Sequence, residues 1–262
     1  MTAPSVWQEV EFGGYGADLP LWVELAEASG GPVLELGAGA GRVALHLAGH
    51  GYDVIALERD PDLAGELERL AADRGVSLTI LKGDLDSPDG LRLPRHPHLA
   101  IGPLHVIQVL DTETRPPLLA RLLELLAPGA MVGLTLVDES TLLSAGAAST
   151  QMLPDMREIG GWVYSSEPLW VQVGDQVLTV RRLRERVSPD GSIEREVHDE
   201  ILHRVDPDAL EREAADAGFL PIGRRSISSG ENEADSVVVL LGAPNCVREL
   251  RGSGCSRCIP SR

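Results

Sequence analysis

Residues 33–42 read Val-Leu-Glu-Leu-Gly-Ala-Gly-Ala-Gly-Arg, and this stretch decides the fold. The mostly apolar residues from Pro32 to Leu36 predict a short buried strand, and the residues from Arg42 to His50 predict a helix. Between them, three alternating glycines predict a loop whose backbone can approach a ligand closely. The same strand, glycine loop and helix also serve dinucleotides, so the glycines alone are weak evidence for any one ligand.

Three acidic residues narrow the choice of ligand. Glu35 lies two residues before the first glycine, where a carboxylate disfavours a pyrophosphate and favours a ligand ammonium group. Glu58 lies 23 residues further on (58 − 35 = 23), at the end of the second predicted strand, where a carboxylate can hold both hydroxyls of a ribose. Asp84 follows the third predicted strand, where a carboxylate can accept a hydrogen bond from an adenine amino group.

Strands and helices alternate on both sides of this stretch. Strands are predicted at 32–36, 52–57, 76–81, 99–104 and 131–137, and helices at 19–28, 42–50, 60–73 and 115–127. This alternation predicts a parallel sheet with helices on both faces. Residues 1–18, which are rich in glycine, and residues 85–98, which have no clear period, are predicted to be irregular.

The pattern changes after residue 137. Residues 138–160 are mostly small and polar, and no helix separates the strands that follow at 162–173, 176–187 and 193–202, which predicts an antiparallel insertion. The last two strands form a predicted hairpin in which paired residue numbers sum to 380. In this register Glu185 faces Arg195, whereas a slip by one residue puts it opposite Glu194. A helix at 206–218 and strands at 219–227 and 236–241 resume the alternating plan.

The two halves of the hairpin differ in polarity. The outer half is charged on both faces and is expected to project into solvent. The inner half carries Leu178, Val180 and Ile201 and is expected to form a wall of the acceptor pocket.

The chain resembles the class I S-adenosylmethionine-dependent methyltransferases. The resemblance is carried by Glu35 to Gly41, Glu58, Gly83-Asp84, Leu-Ala-Pro-Gly at 126–129 and Ala-Gly-Phe at 217–219. It implies an α/β fold with a Rossmann-like, mostly parallel seven-stranded sheet in the order 3-2-1-4-5-7-6, with the seventh strand antiparallel. It also implies S-adenosylmethionine bound over the carboxyl ends of strands 1 to 4. The family often has Asp at the first two acidic positions; this chain has Glu at both.

The domain prediction follows the same boundaries. Residues 1–137 and 204–242 form the methyltransferase core, and residues 138–203 form an antiparallel insertion over the acceptor site. Residues 243–262 form a flexible tail that holds all three cysteines and carries a net charge of +3, against −20 for the rest of the chain.

The candidate site residues follow from the resemblance and from the strand ends. The predicted donor-binding residues are Tyr15, Glu35, Gly37, Ala38, Gly39, Gly41, Glu58, Arg59, Asp84, Leu85 and Gly102. His105 follows the fourth strand and is the candidate general base, with a pocket-wall role as the alternative. Gln108 and Asp111 lie just after it as further candidate lining residues. No metal site is predicted, because His96 and His98 have no third ligand near them in the sequence.

Composition excludes several classes of function. The net charge of −17 repels phosphate backbones, and aromatic residues make up only 3% of the chain, so nucleic acid is not an expected partner. Neither a run of about 18 apolar residues nor a secretory signal is visible, which predicts a cytoplasmic protein without a membrane partner.

The expected function is transfer of the methyl group of S-adenosylmethionine to an oxygen or nitrogen nucleophile of a small molecule. The expected partner is that small-molecule acceptor, and a homodimer is left open. Two alternatives also stay open: an NAD-dependent oxidoreductase on a Rossmann-type sheet, and a non-catalytic protein that keeps the methyltransferase fold.

Overall fold

Strands and helices alternate along the computed structural model, which describes residues 2–140, 153–228 and 235–245. The strands are β1 (Val33–Leu36), β2 (Val54–Glu58), β3 (Thr79–Lys82), β4 (Leu99–Gly102), β5 (Met131–Val137), β6 (Asp155–Ile159), β7 (Trp162–Val173), β8 (Val177–Val187), β9 (Ile193–His203), β10 (Leu220–Ile227) and β11 (Ser236–Gly242). The longer helices are α1 (Ala3–Phe12), α2 (Leu19–Ser29), α3 (Arg42–Gly49), α4 (Pro61–Arg74), α5 (Arg115–Leu125) and α6 (Pro207–Ala217).

The central layer is a seven-stranded sheet in the order β10-β11-β5-β4-β1-β2-β3. Strands β1 to β5 pair in parallel, and β11 is antiparallel to both β5 and β10. With β10 and β11 counted as the sixth and seventh strands of the core, this is the order 3-2-1-4-5-7-6. The predicted α/β fold is therefore confirmed.

The sheet has a hydrophobic core on each face, because successive side chains of a strand point to opposite sides. Val33 and Val54 pack on the side of Trp22 in α2, together with α3 and α4. Leu34 and Ile55 pack on the other side, beneath α5 and α6. Each Val or Leu side chain that is fully buried stabilises the fold by about 1.5–3 kcal/mol relative to an exposed one. The central strands are therefore held in place by the apolar area that they bury on both faces.

Helices α4 and α6 begin and end where their sequence signals predict. Asp60 accepts a hydrogen bond from the N–H of Asp62 at 2.8 Å, and Asp206 accepts one from the N–H of Ala209 at 2.7 Å. A proline occupies the first turn of each helix, where no N–H is needed. Each helix is followed by a glycine in the left-handed conformation, which ends it.

The insertion forms a separate four-stranded antiparallel sheet in the order β6-β7-β8-β9. Its β8–β9 hairpin pairs Val187 with Ile193 and Glu185 with Arg195, and the pairing continues to Leu178 and Leu202. Every one of these pairs sums to 380, so the predicted register is confirmed.

Three elements depart from the sequence predictions. Residues 3–12 form helix α1, although residues 1–18 are predicted to be irregular. Residues 155–159 form β6, although no strand is predicted within residues 138–160. Within the part of the chain that the structure describes, β6 is a polar edge strand paired with β7, so it shows no apolar alternation. Strand β3 begins at Thr79 rather than at residue 76.

The surroundings of the hairpin also differ in part. Leu178 and Leu202 are buried against Val137 at the carboxyl end of β5, as expected for the inner half, but Ile201 is exposed on the opposite face of the sheet. The outer half does not simply project into solvent, because Arg184 packs against helix α1.

Only the first residues of the predicted tail are described. Ala243, which the sequence assigns to the tail, is buried in the main core, and its N–H donates to the carbonyl oxygen of Ala130 at 2.7 Å. This places Ala243 in the folded domain. The three cysteines lie in residues 246–262, outside the described residues.

Candidate active site

The glycine loop between β1 and α3 makes a tight turn in a backbone conformation that residues other than glycine rarely adopt. Gly37, Gly39 and Gly41 all have positive φ angles, of 62°, 58° and 94°. A Cβ atom at Gly41 would overlap the side chain of Leu67 in α4, so this glycine also allows α3 and α4 to pack closely. The loop is thus shaped by both backbone conformation and packing.

Glu58 links the end of β2 to the glycine loop. Its buried carboxylate accepts a hydrogen bond from the N–H of Gly39 at 2.7 Å through one oxygen and from the N–H of Asp60 at 2.8 Å through the other. A carboxylate oxygen can accept about two hydrogen bonds, so each oxygen retains a lone pair for a ligand hydroxyl.

Glu35 is a buried carboxylate with one oxygen that no protein group satisfies. It accepts a hydrogen bond from the N–H of Ala44 in the first turn of α3. The N-cap residue of this helix, Gly41, has no side chain that could accept such a bond, so Glu35 takes that role. Its Oε2 atom has no hydrogen-bond partner. Burial raises the pKa of Glu35 to about 8, although the positive charge of Arg42 opposes this rise. The site therefore contains a carboxyl group that a ligand cation would stabilise in its ionised form.

Arg42 ties the segment before α2 to the start of α3. Its guanidinium binds both oxygens of the buried Asp18, at 2.6 and 2.7 Å, and Asp18 also accepts from the indole N–H of Trp22 at 2.8 Å. The same guanidinium donates to the carbonyl oxygen of Tyr15 at 3.1 Å and lies 5.1 Å from the centre of its ring. Tyr15 is thereby held beside the N-terminus of α3.

The remaining predicted donor residues lie at the ends of β2, β3 and β4. Arg59 and Asp84 are half exposed and 3.8 Å apart, and Leu85 packs partly against the core. Gly102 ends β4. A Cβ atom at Gly102 would crowd the side chain of Val106, and a Cβ atom at Gly37 would overlap the same side chain. The predicted residues therefore follow the carboxyl ends of neighbouring parallel strands.

His105 lies beyond β4 on strained backbone. It and Leu104 have φ angles of 62° and 48°, and they are the non-glycine residues with positive φ among residues 2–140, 153–228 and 235–245. Burial lowers the pKa of His105 to about 4, and only the charge of Asp18 opposes this shift. The imidazole is therefore neutral at pH 7. Strained residues concentrate at functional sites, which favours a role for His105.

Ser236, at the start of β11, is a neighbour of His105 that the sequence analysis did not identify. A hydrogen bond of 2.9 Å joins Nε2 of His105 to Oγ of Ser236, which is buried. The two residues are 131 positions apart, so only the strand order brings them together.

The side chains of Gln108 and Asp111 both accept hydrogen bonds from nearby backbone. The side-chain oxygen of Gln108 accepts from the N–H of Val137 at 2.8 Å. Asp111 accepts from the N–H groups of Glu113 and Thr114, both at 2.9 Å, just before α5.

Helix α1 covers the glycine loop, and the sequence analysis missed both of its main contacts. Oε1 of Gln8 accepts from the N–H of Ala40 at 2.5 Å. Glu11 receives two hydrogen bonds from Arg184 in β8, at 2.7 and 2.8 Å. Burial alone would raise the pKa of Glu11, but the bonds and charge of Arg184 outweigh burial and hold this pKa below its usual value. The usable sequence signal was the lack of glycine from residue 3 to residue 12, with Pro4 in the first turn.

A cavity lies between α1 and the outer half of the β8–β9 hairpin. Its volume is about 590 Å³, and its lining includes Trp7, Gln8, Glu11, Arg184 and His198. No residue of β1 to β5 lines it, so it is separate from the strand ends that carry Glu35, Glu58 and His105.

In residues 2–140, 153–228 and 235–245, no group of three His, Cys, Asp or Glu side chains is arranged to hold a metal ion. Within the same ranges, no helix has the length and apolar character needed to cross a bilayer.

The comparisons with known proteins agree with this arrangement. Residues 33–129 match a family model described as a methyltransferase domain. A 59-residue segment is 44% identical to the ribosomal RNA small subunit methyltransferase A of Anaeromyxobacter dehalogenans, covering 22% of this chain and 20% of that protein. The chain thus spans only about a fifth of the length of this curated relative.

Two solved structures resemble the whole fold. An S-adenosylmethionine-dependent methyltransferase from Clostridium acetobutylicum is 12% identical, with a TM-score of 0.69 over 91% of this chain and 96% of that one. The sugar N-methyltransferase KedS8 from Streptoalloteichus is 14% identical, with a TM-score of 0.68 over 91% of this chain and 90% of that one. At such identities these likenesses establish the fold. The methyltransferase-domain match over residues 33–129 supports the resemblance to the class I methyltransferases.

Proposed function

We propose that this protein, a methyltransferase domain with an added antiparallel sheet, transfers a methyl group from S-adenosylmethionine to an amine of a small molecule. One observation carries the proposal: the glycine loop lies between Glu58, which faces it from β2, and the unsatisfied carboxylate oxygen of Glu35. Bound S-adenosylmethionine supplies a methyl group on a sulfonium, which needs no further activation.

The residues present fit this cofactor. Glu58 is held by two backbone N–H groups and keeps lone pairs for the ribose hydroxyls. The unsatisfied oxygen of Glu35 is suited to the ammonium group of the methionine part, which would lower the raised pKa of this carboxyl group. Asp84 is exposed enough at the end of β3 to accept a hydrogen bond from the adenine amino group. Tyr15 lies where it can cover the loop.

The groups near His105 support an amine acceptor, which attacks as the neutral amine. Ser236 pairs with Val137 across the sheet, and the N–H of Asp138 donates to the carbonyl oxygen of Asp235 at 2.8 Å. Two acidic residues, Asp138 and Asp235, therefore lie next to the Val137–Ser236 pair at this end of the sheet. Because the imidazole is uncharged at neutral pH, nothing in this pair opposes the approach of an amine.

We assign His105 a positioning role in preference to a role in proton transfer. A neutral imidazole held by Ser236 can accept a hydrogen bond from an N–H of the acceptor and aim its lone pair at the methyl group. Alignment of this kind contributes much of the rate when the leaving group is already good. A pKa of about 4 makes His105 a weak base, so the proton released by the methylated amine goes to solvent.

The neighbouring structures add to the case for nitrogen. KedS8 is a sugar N-methyltransferase, which makes amino sugars the first acceptors to test. The antiparallel sheet joins the core beside Val137, near the carboxyl ends of the parallel strands, and we propose that residues 138–203 shape the acceptor site. A cytoplasmic location remains our prediction.

Incubation with methyl-labelled S-adenosylmethionine and a matched pair of acceptors tests this function. The pair is an amino sugar and the same sugar with a hydroxyl in place of the amine, followed by mass spectrometry of the products. We expect transfer to amine-bearing acceptors and little to their hydroxyl partners. Label appearing only in ribosomal RNA, or binding of S-adenosylhomocysteine without transfer to any acceptor, would overturn the proposal.

A further inference from the structure

One face of the four-stranded sheet carries exposed apolar side chains in unusual number. We call it the outer face; it is the face turned away from β5 and α1. Six of the eleven exposed large hydrophobic residues within residues 2–140, 153–228 and 235–245 lie on it. They are Met156, Val163, Trp170, Ile193, Val197 and Ile201.

The register of the sheet fixes which residues belong to this face. Directly paired residues share a face, and Trp170 pairs with Arg181, Val197 with Leu183, and Ile193 with Val187. The alternate residues point the other way and are covered: Leu178 and Leu202 pack against Val137, and Arg184 binds Glu11. Among residues 2–140, 153–228 and 235–245, none covers the outer face, whereas the other side of the sheet is packed against the domain.

The β8–β9 hairpin part of the outer face is electrically balanced, whereas β6 and β7 add Glu158 and Glu167 to this face. Arg181 binds both oxygens of Asp199, at 2.6 and 2.5 Å, and Arg195 binds Glu185 at 2.6 Å. The hairpin thus contributes two positive and two negative charges to this face, in a chain whose net charge is −17. Two copies of so acidic a chain repel each other elsewhere, but they can meet here with paired charges and apolar side chains in contact.

The area approaches that of a standard interface. Strand β6 has 5 residues, β7 has 12, and β8 and β9 have 11 each, so at a spacing of about 4.8 Å the four strands present roughly 600 Å² on one face. A standard protein interface buries about 800 Å² on each partner. Apolar residues occur on both β9 and β7, so the face offers a patch rather than a single side chain.

We propose that the outer face is a homodimer interface, in which a second copy of this chain packs its own outer face against the first. A two-fold contact of this kind matches identical patches, so each copy places Val197, Ile201 and Trp170 against the same set. The axis passes near the β8–β9 hairpin, where the charges balance. Glu158, on the edge strand β6, then lies at the polar rim, whereas Glu167, whose partner Leu183 pairs with Val197, lies inside the contact.

Sedimentation of the full chain, with two matched variants, tests this interface. Ile201 on the outer face and Ile222 on β10 are equally exposed, at 53% and 52%, so Ile201→Arg and Ile222→Arg make the same change at two places. We expect the wild type and Ile222→Arg to sediment as dimers, and Ile201→Arg to dissociate at least tenfold more readily. A monomeric wild type at high protein concentration, or equal behaviour of the two variants, would overturn the proposal.

A second measurement covers the case in which Ile201→Arg disturbs the fold. Val197→Cys and Ile222→Cys are labelled with a thiol reagent at low and high protein concentration, and the modified peptides are quantified by mass spectrometry. We expect the cysteine at position 197 to react more slowly at high concentration, where copies associate, and the one at 222 to react at the same rate. Equal rates at position 197 at both concentrations contradict the interface.

Discussion

Replacing Glu35 by Gln should change how stability depends on pH. In the folded protein the pKa of this carboxyl group is about 8, because burial penalises its ionised form. In the unfolded chain the carboxyl group has an ordinary pKa, near 4.5. Between these values the folded protein binds one more proton than the unfolded chain. Stability must therefore fall as pH rises through this window.

The size of the effect follows from the width of the window. Each pH unit inside it costs up to about 1.4 kcal/mol of the free energy of unfolding. From pH 5.5 to pH 7.5 the wild type should thus lose roughly 2–3 kcal/mol that Glu35→Gln does not lose. The amide can still accept a hydrogen bond from the N–H of Ala44, so the start of α3 keeps its cap.

Urea unfolding of both proteins at several pH values measures this difference. Glu66→Gln is the control, since the Glu66 side chain is also only slightly exposed but a hydrogen bond from Arg69 lowers its pKa. A carboxyl group whose pKa is lowered on folding contributes its full stabilisation above about pH 5. The difference in free energy of unfolding between this control and the wild type should therefore stay constant from about pH 5.5 to pH 7.5. If the difference between Glu35→Gln and the wild type is equally constant, the burial argument for Glu35 is wrong.

Three further changes test other parts of the site. Glu58→Ala should weaken S-adenosylhomocysteine binding by about 1–3 kcal/mol in calorimetric titration, because hydrogen bonds to a charged group are lost; unchanged affinity would remove Glu58 from the donor site. Ser236→Ala should raise KM for the acceptor and leave donor affinity unchanged, and His105→Ala should do the same more strongly; a fall of about 100-fold in kcat with constant KM would instead identify His105 as a base. Truncation after Gly242 should lower Tm relative to truncation after Asn245, because it removes the buried Ala243; equal Tm values would contradict its place in the core.

Local signals were enough to predict the central sheet. The glycine loop, the acidic residues at the strand ends and the Asp-Pro helix starts each act within a few residues, so they can be read along the chain. The hairpin register was also predictable, because Arg186, Glu185 and Arg184 find opposite charges in only one alignment. Each such pair is worth only about 0.2–1 kcal/mol, but several of them act together.

The parts of the site that escaped prediction depend on distant contacts. Ser236 reaches His105 only because β11 inserts between β5 and β10. Helix α1 has no side-chain N-cap, and its contacts with Ala40 and Arg184 come from far along the sequence. The bond that Gln108 accepts from the N–H of Val137 is also a distant contact, which sequence proximity does not reveal.

Helix α1 makes the glycine loop and the four-stranded sheet thermodynamically dependent on each other. Gln8 touches the loop and Glu11, one turn further on, touches the sheet, so a shift of the helix changes both contacts together. Linkage is reciprocal: a donor that alters the position of Gln8 changes the free energy of the Glu11–Arg184 contact. A partner whose affinity for the sheet changes when the donor binds must change the donor's affinity by the same factor. A ten-residue helix thereby gives two distant surfaces a common equilibrium.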